Sequence, residues 1–387
     1  ERTMWSPDFL AHNGIIDIVL KGEYEQTLLE IAQRLHHNES LADVQGINYR
    51  TKEGVVCVNP LRPLGDLNSL PWPKREGLAL ERYIDAPGEM PLPCAQIIAS
   101  RGCPYSCLFC LWPHVMYGGA NYRVRKAEDV LDEMEMLVSR YQYKSIYFDD
   151  DTFGLDRQWL ISFGEGLLKR NAEGRLTVPW AMMTRPDAMD EEILCLLHNA
   201  GLWAVKYGIE SGNQQMVNAL HKNLDLRYAK KIIAYTKKLG IRTHLTFTFG
   251  APGETKRTIA DTLSFMVKAD PFSVQFSITT PFPGTAYFDE CERNHLLCSR
   301  QWSDYDGNAC SVIRTRALSP HALMRARAHA YMRWKRHVFI RRFKNKSAML
   351  LNHLWMRIRS FLCSCLRGAL KVLLGISMLT MQIVFPL

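Results

Sequence analysis

From Gln96 to Thr280 the chain alternates apolar, β-branched runs with amphipathic stretches, and that alternation leaves few folds open. Strand-like runs cover residues 96–100, 144–149, 178–184, 203–209, 241–249 and 272–280. Between them, apolar residues recur at helical spacing, as in Val130, Leu131, Met134 and Leu137, or Ile259, Leu263 and Met266. Gly201 and Gly240 each follow such a stripe, where a helix ends in a left-handed residue. Every gap holds enough chain for a crossover helix, so the strands are expected to run parallel. Six such units predict an α/β fold with the sheet curved into a partial (β/α)6, TIM-like barrel. In a parallel sheet, whatever follows each strand faces one mouth.

Cys103, Cys107 and Cys110 follow the first of these strands, in the run Ser100-Arg101-Gly102-Cys103-Pro104-Tyr105-Ser106-Cys107-Leu108-Phe109-Cys110. Gly102 and Pro104 force a loop there. A structural zinc site takes four protein ligands, and a complete ferredoxin cluster normally takes four cysteines. Three clustered thiols with no evident fourth point to a [4Fe–4S] cluster with one open iron. The remaining cysteines bring the total to 11, an odd number that argues for a reducing compartment rather than a disulfide framework.

The C-x3-C-x2-C spacing after a strand resembles the radical S-adenosylmethionine (radical SAM) superfamily. The resemblance implies that SAM chelates the open iron and is cleaved by electron transfer to methionine and a 5′-deoxyadenosyl radical. It also implies roles at the strand ends. Asp149 or Asp150, within Phe148-Asp149-Asp150-Asp151-Thr152-Phe153, would meet the SAM amino group, while Asp151 or Thr152 caps the next helix. Arg185 would pair with a carboxylate of SAM or substrate, and Asp187 would cap the helix near Met189. Glu210 and Ser211 would bind ribose hydroxyls. Gly250 and Pro252, in Phe249-Gly250-Ala251-Pro252-Gly253-Glu254-Thr255, resemble the adenine-binding turn. Phe109, Trp112 and Tyr122 would shield the cluster. No residue is assigned to catalysis itself.

Upstream, Gly14 to Leu20 reads as a strand and Leu28, Ile31, Ala32 and Leu35 as one face of a helix, with Lys21-Gly22-Glu23-Tyr24-Glu25 between them. This unit resembles the closing part of the cobalamin-binding, Rossmann-like domain that precedes many radical SAM domains. The family's Asp-x-His-x-x-Gly loop is not in this sequence, so cobalamin is implied by the resemblance alone, and the chain is expected to be truncated at its N-terminus. Residues 46–58 suggest a hairpin. Pro60, Pro63, Pro71, Pro73, Pro87, Pro91 and Pro93 mark an extended linker. The expected organisation is a cobalamin-type remnant over 1–59, the linker over 60–93, the radical SAM domain over 94–300 and a basic helical region over 301–387.

Charge separates that last region from the rest. No Asp or Glu follows Asp306, yet residues 307–387 carry 15 Lys and Arg, leaving 33 basic against 39 acidic residues before them. Residues 372–387 carry no charge. At 16 residues this end is shorter than the roughly 20 needed to span a bilayer. A basic helix with a short apolar end suits a membrane surface better than a nucleic acid, and Cys363 and Cys365 could be acylated there.

The expected function is radical methylation or rearrangement at an unactivated carbon of a small hydrophobic metabolite or lipid, because Cys110-Leu111-Trp112-Pro113 is similar to hopanoid-tailoring enzymes. An electron donor such as flavodoxin or ferredoxin is implied. The expected location is cytoplasmic, peripheral on the inner face of the membrane. A tRNA methylthiotransferase and a non-catalytic iron–sulfur redox or sensor protein are the alternatives.

Overall fold

The computed structural model describes residues 7–79 and 82–343. The chain divides into two compact units, residues 1–330 and 331–387. In the first, a helix over Pro7–His12 (α1) precedes a strand over Ile18–Leu20 (β1), a helix over Glu25–His36 (α2) and strands over Ile47–Arg50 (β2) and Val56–Val58 (β3). The three strands form an antiparallel sheet in the order β1-β2-β3. Ile31 of α2 packs on Val44 and Ile47. The strand expected from Gly14 begins only at Ile18, where pairing with Tyr49 starts; Ile15 is 91% exposed.

The main sheet is parallel. Its strands are Cys94–Ile97 (β4), Ser145–Phe148 (β7), Trp180–Thr184 (β8), Leu202–Glu210 (β9), Arg242–Phe249 (β10) and Ser273–Ile278 (β11). They lie side by side in sequence order, the arrangement that the alternating pattern predicts. Between β4 and β7, a two-residue ribbon pairs Ser100–Arg101 (β5) with Arg123–Val124 (β6).

Helices cover one face of this sheet: Ala127–Tyr141 (α3), Arg157–Ala172 (α4), Glu191–Asn199 (α5), Gln214–Ala219 (α6), Leu226–Lys238 (α7) and Lys256–Ala269 (α8). Under α4, Phe148, Phe153, Phe163 and Trp180 meet at ring-centroid distances of 4.6–6.0 Å. Each such buried ring stabilises the fold by about 1.5–3 kcal/mol. The linker is tied to the barrel: Trp72 Nε1 donates to Asp129 at 3.0 Å, and Arg75 to the Gln96 carbonyl at 2.9 Å. Beyond Ala286–Arg293 (α9), Val312, Ile313, Leu318 and Leu323 are also buried in this unit.

In the second unit, residues 331–343 are helical. The basic residues Lys344 and Lys346, the charge-free end 372–387, Cys363 and Cys365 lie outside the described residues.

Candidate active site

The loop from Gly102 to Tyr122 is pinned at both ends and in the middle. Its ends are closed by the β5–β6 ribbon. Gly102 has φ 89°, and a Cβ there would come 2.6 Å from the Asn121 carbonyl, so only glycine fits. In the middle, Leu108 N donates to the Leu220 carbonyl at 2.9 Å, and the Leu108 carbonyl accepts from Tyr287 N at 3.1 Å. The loop thereby docks on the segment after α6 and on α9.

The acids that end β7 hold this loop in place. Asp150 is fully buried and accepts from Ala99 N at 3.0 Å, Ser100 N at 2.7 Å and the Ser100 hydroxyl. Asp151 accepts from Gly102 N and the Tyr117 hydroxyl, both at 2.8 Å. The Thr152 hydroxyl lies 3.5 Å from Cys103 Sγ. Asp150, expected to touch the SAM amino group, is instead a buried brace, because three donors occupy its two oxygens. Asp149 is exposed at the mouth. Nor do Asp151 and Thr152 cap α4; Asp156 does, accepting from Trp159 N at 3.0 Å.

Cys107 is 8% exposed and Cys103 and Cys110 are half-buried. Burial pushes the Cys110 thiol up to about 12, and the nearby Cys107 and Cys103 sulfurs add to that. Burial also raises Cys107, against the pull of the Lys222 and Arg185 cations. Among the described residues, no three His, Cys, Asp or Glu side chains converge on a single metal ion. Three thiols in C-x3-C-x2-C sequence suit a cubane, in which each thiolate takes a different iron, whereas a structural zinc ion takes four protein ligands. Two buried cations beside three thiols also fit an anionic cluster. The residues present therefore fit a [4Fe–4S] group.

Around the loop, Arg185 lies 3.7 Å over the Tyr105 ring, donates twice to Asp187, and donates to the Lys222 carbonyl at 2.9 Å. Asp187 is thus Arg185's partner; α5 is capped by Asp190, which accepts from Ile193 N at 2.8 Å. Glu210, in a left-handed conformation at the end of β9 (φ 65°), pairs with Lys222 Nζ at 2.9 Å. Ser211 is turned away from a ribose role, its hydroxyl 3.0 Å from that of Thr262. Gly250 has φ 104°, and its amide donates to Glu254 at 2.8 Å. Pro252 is half-buried in the same turn. Phe109 packs on Met216, Leu220 and Ala251, which joins the cluster loop to that turn.

Two functional side chains escaped the sequence reading. Glu254 is 1% exposed and folds back on the amides of Gly250 and Ala251; its signal was an acid four residues after a strand-end glycine. Lys222 carries no local signal, since it enters the site only because the turn after α6 passes behind the cluster loop.

The radical SAM superfamily model matches residues 97–266. Over 291 residues, 75% of this chain and 61% of the other, the chain is 30% identical to an uncharacterized methyltransferase of Pyrococcus horikoshii. It is also 30% identical to the anaerobic magnesium-protoporphyrin IX monomethyl ester cyclase of Rubrivivax gelatinosus, over 74% of this chain and 51% of that one. The chain thus spans half to three-fifths of the length of these relatives. In fold it is similar to TsrM of Kitasatospora setae, a radical SAM methyltransferase solved with cobalamin and a [4Fe–4S] cluster (TM-score 0.61, 22% identity, 72% of this chain and 54% of that one). With the three-cysteine loop at the mouth of a sequentially wound parallel sheet, the chain carries a radical SAM domain over residues 97–266.

Proposed function

We propose that the chain is the catalytic part of a radical SAM enzyme that methylates or rearranges an unactivated carbon, with Cys103, Cys107 and Cys110 holding a [4Fe–4S] cluster. When bound, the cluster supplies the electron that splits SAM into methionine and a 5′-deoxyadenosyl radical. The seating of the thiol loop by Asp150 and Asp151 at the mouth of the barrel carries this reading. Asp149, Arg185, Glu210 and the Gly250–Pro252 turn ring the same mouth and orient SAM, with Glu254 holding the turn. Phe109 screens the loop from water. Cobalamin, present in the similar solved methyltransferase, has no assigned ligand in this chain. An electron donor is required, and a small acidic flavoprotein or ferredoxin suits the role. The test is anaerobic reconstitution. About four irons per chain and reductant-dependent release of 5′-deoxyadenosine from SAM are expected. Iron binding without that product makes the protein a redox or sensor protein instead.

A membrane contact is proposed for the second unit. Met332, Phe339 and Phe343 are 61%, 71% and 67% exposed and share one helical face, flanked by Arg333, Lys335, Arg336, Arg341 and Arg342. An exposed apolar stripe with basic flanks suits an anionic interface. Among the described residues no helix is long and apolar enough to cross a membrane. In flotation with phosphatidylserine-containing liposomes, the full chain is expected to float at low salt and in part at 0.5 M salt, where the Debye length is roughly a third of its value at 0.05 M. Replacing Phe339 and Phe343 by Ser removes the salt-resistant part. A chain that stays at the bottom of the low-salt gradient overturns the contact.

A further inference from the structure

The concave face of the barrel is lined unlike an apolar tunnel. On β9, Val205, Tyr207 and Ile209 are fully buried, and on β10 Leu245, Phe247 and Phe249 are at most 1% exposed. These face the helices: the Tyr207 hydroxyl lies 3.0 Å from that of Thr236 on α7, and Phe247 meets Phe265 of α8. Alternation then turns Lys206, Gly208, His244 and Thr246 into the lumen. All four are only partly buried, although both strands are paired on both edges.

Register sets these residues in rows. Met183, Lys206, His244 and Ser273 are neighbours across β8, β9, β10 and β11, and the next row up holds Gly208, Thr246 and Gln275. Just below, Met90 of the linker packs on Cys94, Tyr147, Ala181 and Ala204 and closes the floor. The Gly88 carbonyl, which accepts from Trp203 Nε1 at 2.8 Å, pins that strap; a Cβ on Gly88 would come 2.6 Å from Ala204 Cβ. The lumen thus carries a polar collar above an apolar base.

Two groups on this collar await a partner. Among the described residues Lys206 forms no ion pair. The buried Nε2 of His244 has no hydrogen-bond partner. His244 Nδ1 lies 2.8 Å from the Ser273 hydroxyl, and burial with the Lys206 cation holds the ring down to about 4, hence neutral. With Ser273 donating to Nδ1, the ring's proton sits on Nε2. Of the acids around the collar, Glu210 lies over Gly208 and is paired with Lys222, Asp85 accepts from Gln96, and Asp149 stands beside Tyr147 on β7.

We propose that this collar binds a carboxylate or phosphate group of a hydrophilic substrate, with Lys206 as the counter-charge and His244 Nε2 as a neutral donor. That the occupant is the substrate rests on the function proposed above. Glu210 lies four residues above Lys206, about 13 Å of strand.

The probes are hexanoate, pentyl phosphate and 1-hexanol, titrated calorimetrically into the reconstituted protein. At least one anion is expected to bind 10-fold or more tighter than the alcohol, and the tighter anion names the group. Lys206→Met should weaken that anion at least 10-fold and leave the alcohol unchanged, while Lys206→Arg restores most of the affinity. Should Lys206→Met fail to fold, the His244 ring signals of the wild type decide: bound anion must raise the ring's pKa. Equal binding of alcohol and anions, anion binding indifferent to Lys206→Met, or an unmoved His244 overturns the inference. Reductive SAM cleavage by the same wild-type sample is measured alongside. Cleavage without anion binding sinks only the substrate class; anion binding without cleavage sinks only the proposed function.

Discussion

Cys107→Ala is expected to leave a protein that folds but holds less than one iron per chain and releases 5′-deoxyadenosine more than ~100-fold more slowly than the wild type. Changes around a metal site already cost 10–100-fold when they touch only the groups behind the ligands, and this one removes a ligand. Cys107 is the most deeply buried of the three, and the carbonyl beside it accepts from Cys110 N at 3.0 Å. The lost thiolate cannot be made up by a neighbouring thiol, because the loop is clamped through Leu108 on both sides. The backbone bonds stay intact, so circular dichroism should match the wild type. Iron and sulfide analysis with product chromatography checks the outcome. Wild-type rates of SAM cleavage in this variant would remove the cluster assignment.

Asp150→Ala is expected to damage the same centre from behind. The substitution leaves the amides of Ala99 and Ser100 and one hydroxyl without an acceptor in a site closed to water. Each abandoned buried donor costs about 1–3 kcal/mol, so a loss on the order of 3–5 kcal/mol in unfolding free energy is expected, with iron loading reduced in parallel. Asp150→Asn should lie between, since an amide keeps one acceptor oxygen. The pair also carries a pH signature. Burial pushes Asp150 up to about 7, from an ordinary value near 3.9. The folded protein therefore holds this proton more tightly than the unfolded one. Its contribution to stability is full below about pH 4 and is lost as pH rises through 7. The difference in unfolding free energy between wild type and Asp150→Asn, followed by urea titration from pH 4 to 8, should shrink in that direction. A flat difference would mean that the carboxylate is ionised throughout.

The parallel sheet was legible because each strand–helix unit carries its own periodicity, and a local signal suffices for a local element. The thiol loop was legible for the same reason, its three cysteines falling within eight residues. What sequence could not sort was the division of labour among Asp149, Asp150 and Asp151. Neighbouring residues on a strand end point in opposite directions, and which one meets the mouth depends on where β4 and β5 separate, a matter of tertiary register. Ser211 was misjudged in the same way: one residue past Glu210, it turns toward Thr262 of α8. Lys222 lies 12 residues beyond Glu210 and joins it only through the fold. The lumen collar, by contrast, was spread one residue per strand over Lys206, His244 and Ser273, and no window along the chain contains it.

The brace beneath the thiol loop has a bearing on how such a protein is made. Cys103 to Cys110 emerge from the ribosome before the groups that seat them: Asp150 and Asp151 follow first, then Leu220, and last Tyr287. At 5–20 residues per second, roughly 10–35 s separate the synthesis of Cys110 from that of Tyr287. Throughout that interval the thiols are displayed on a nascent chain with no seat to receive iron. Maturation of the centre is consequently a late, post-assembly event, and the window before it is when oxygen can do most harm.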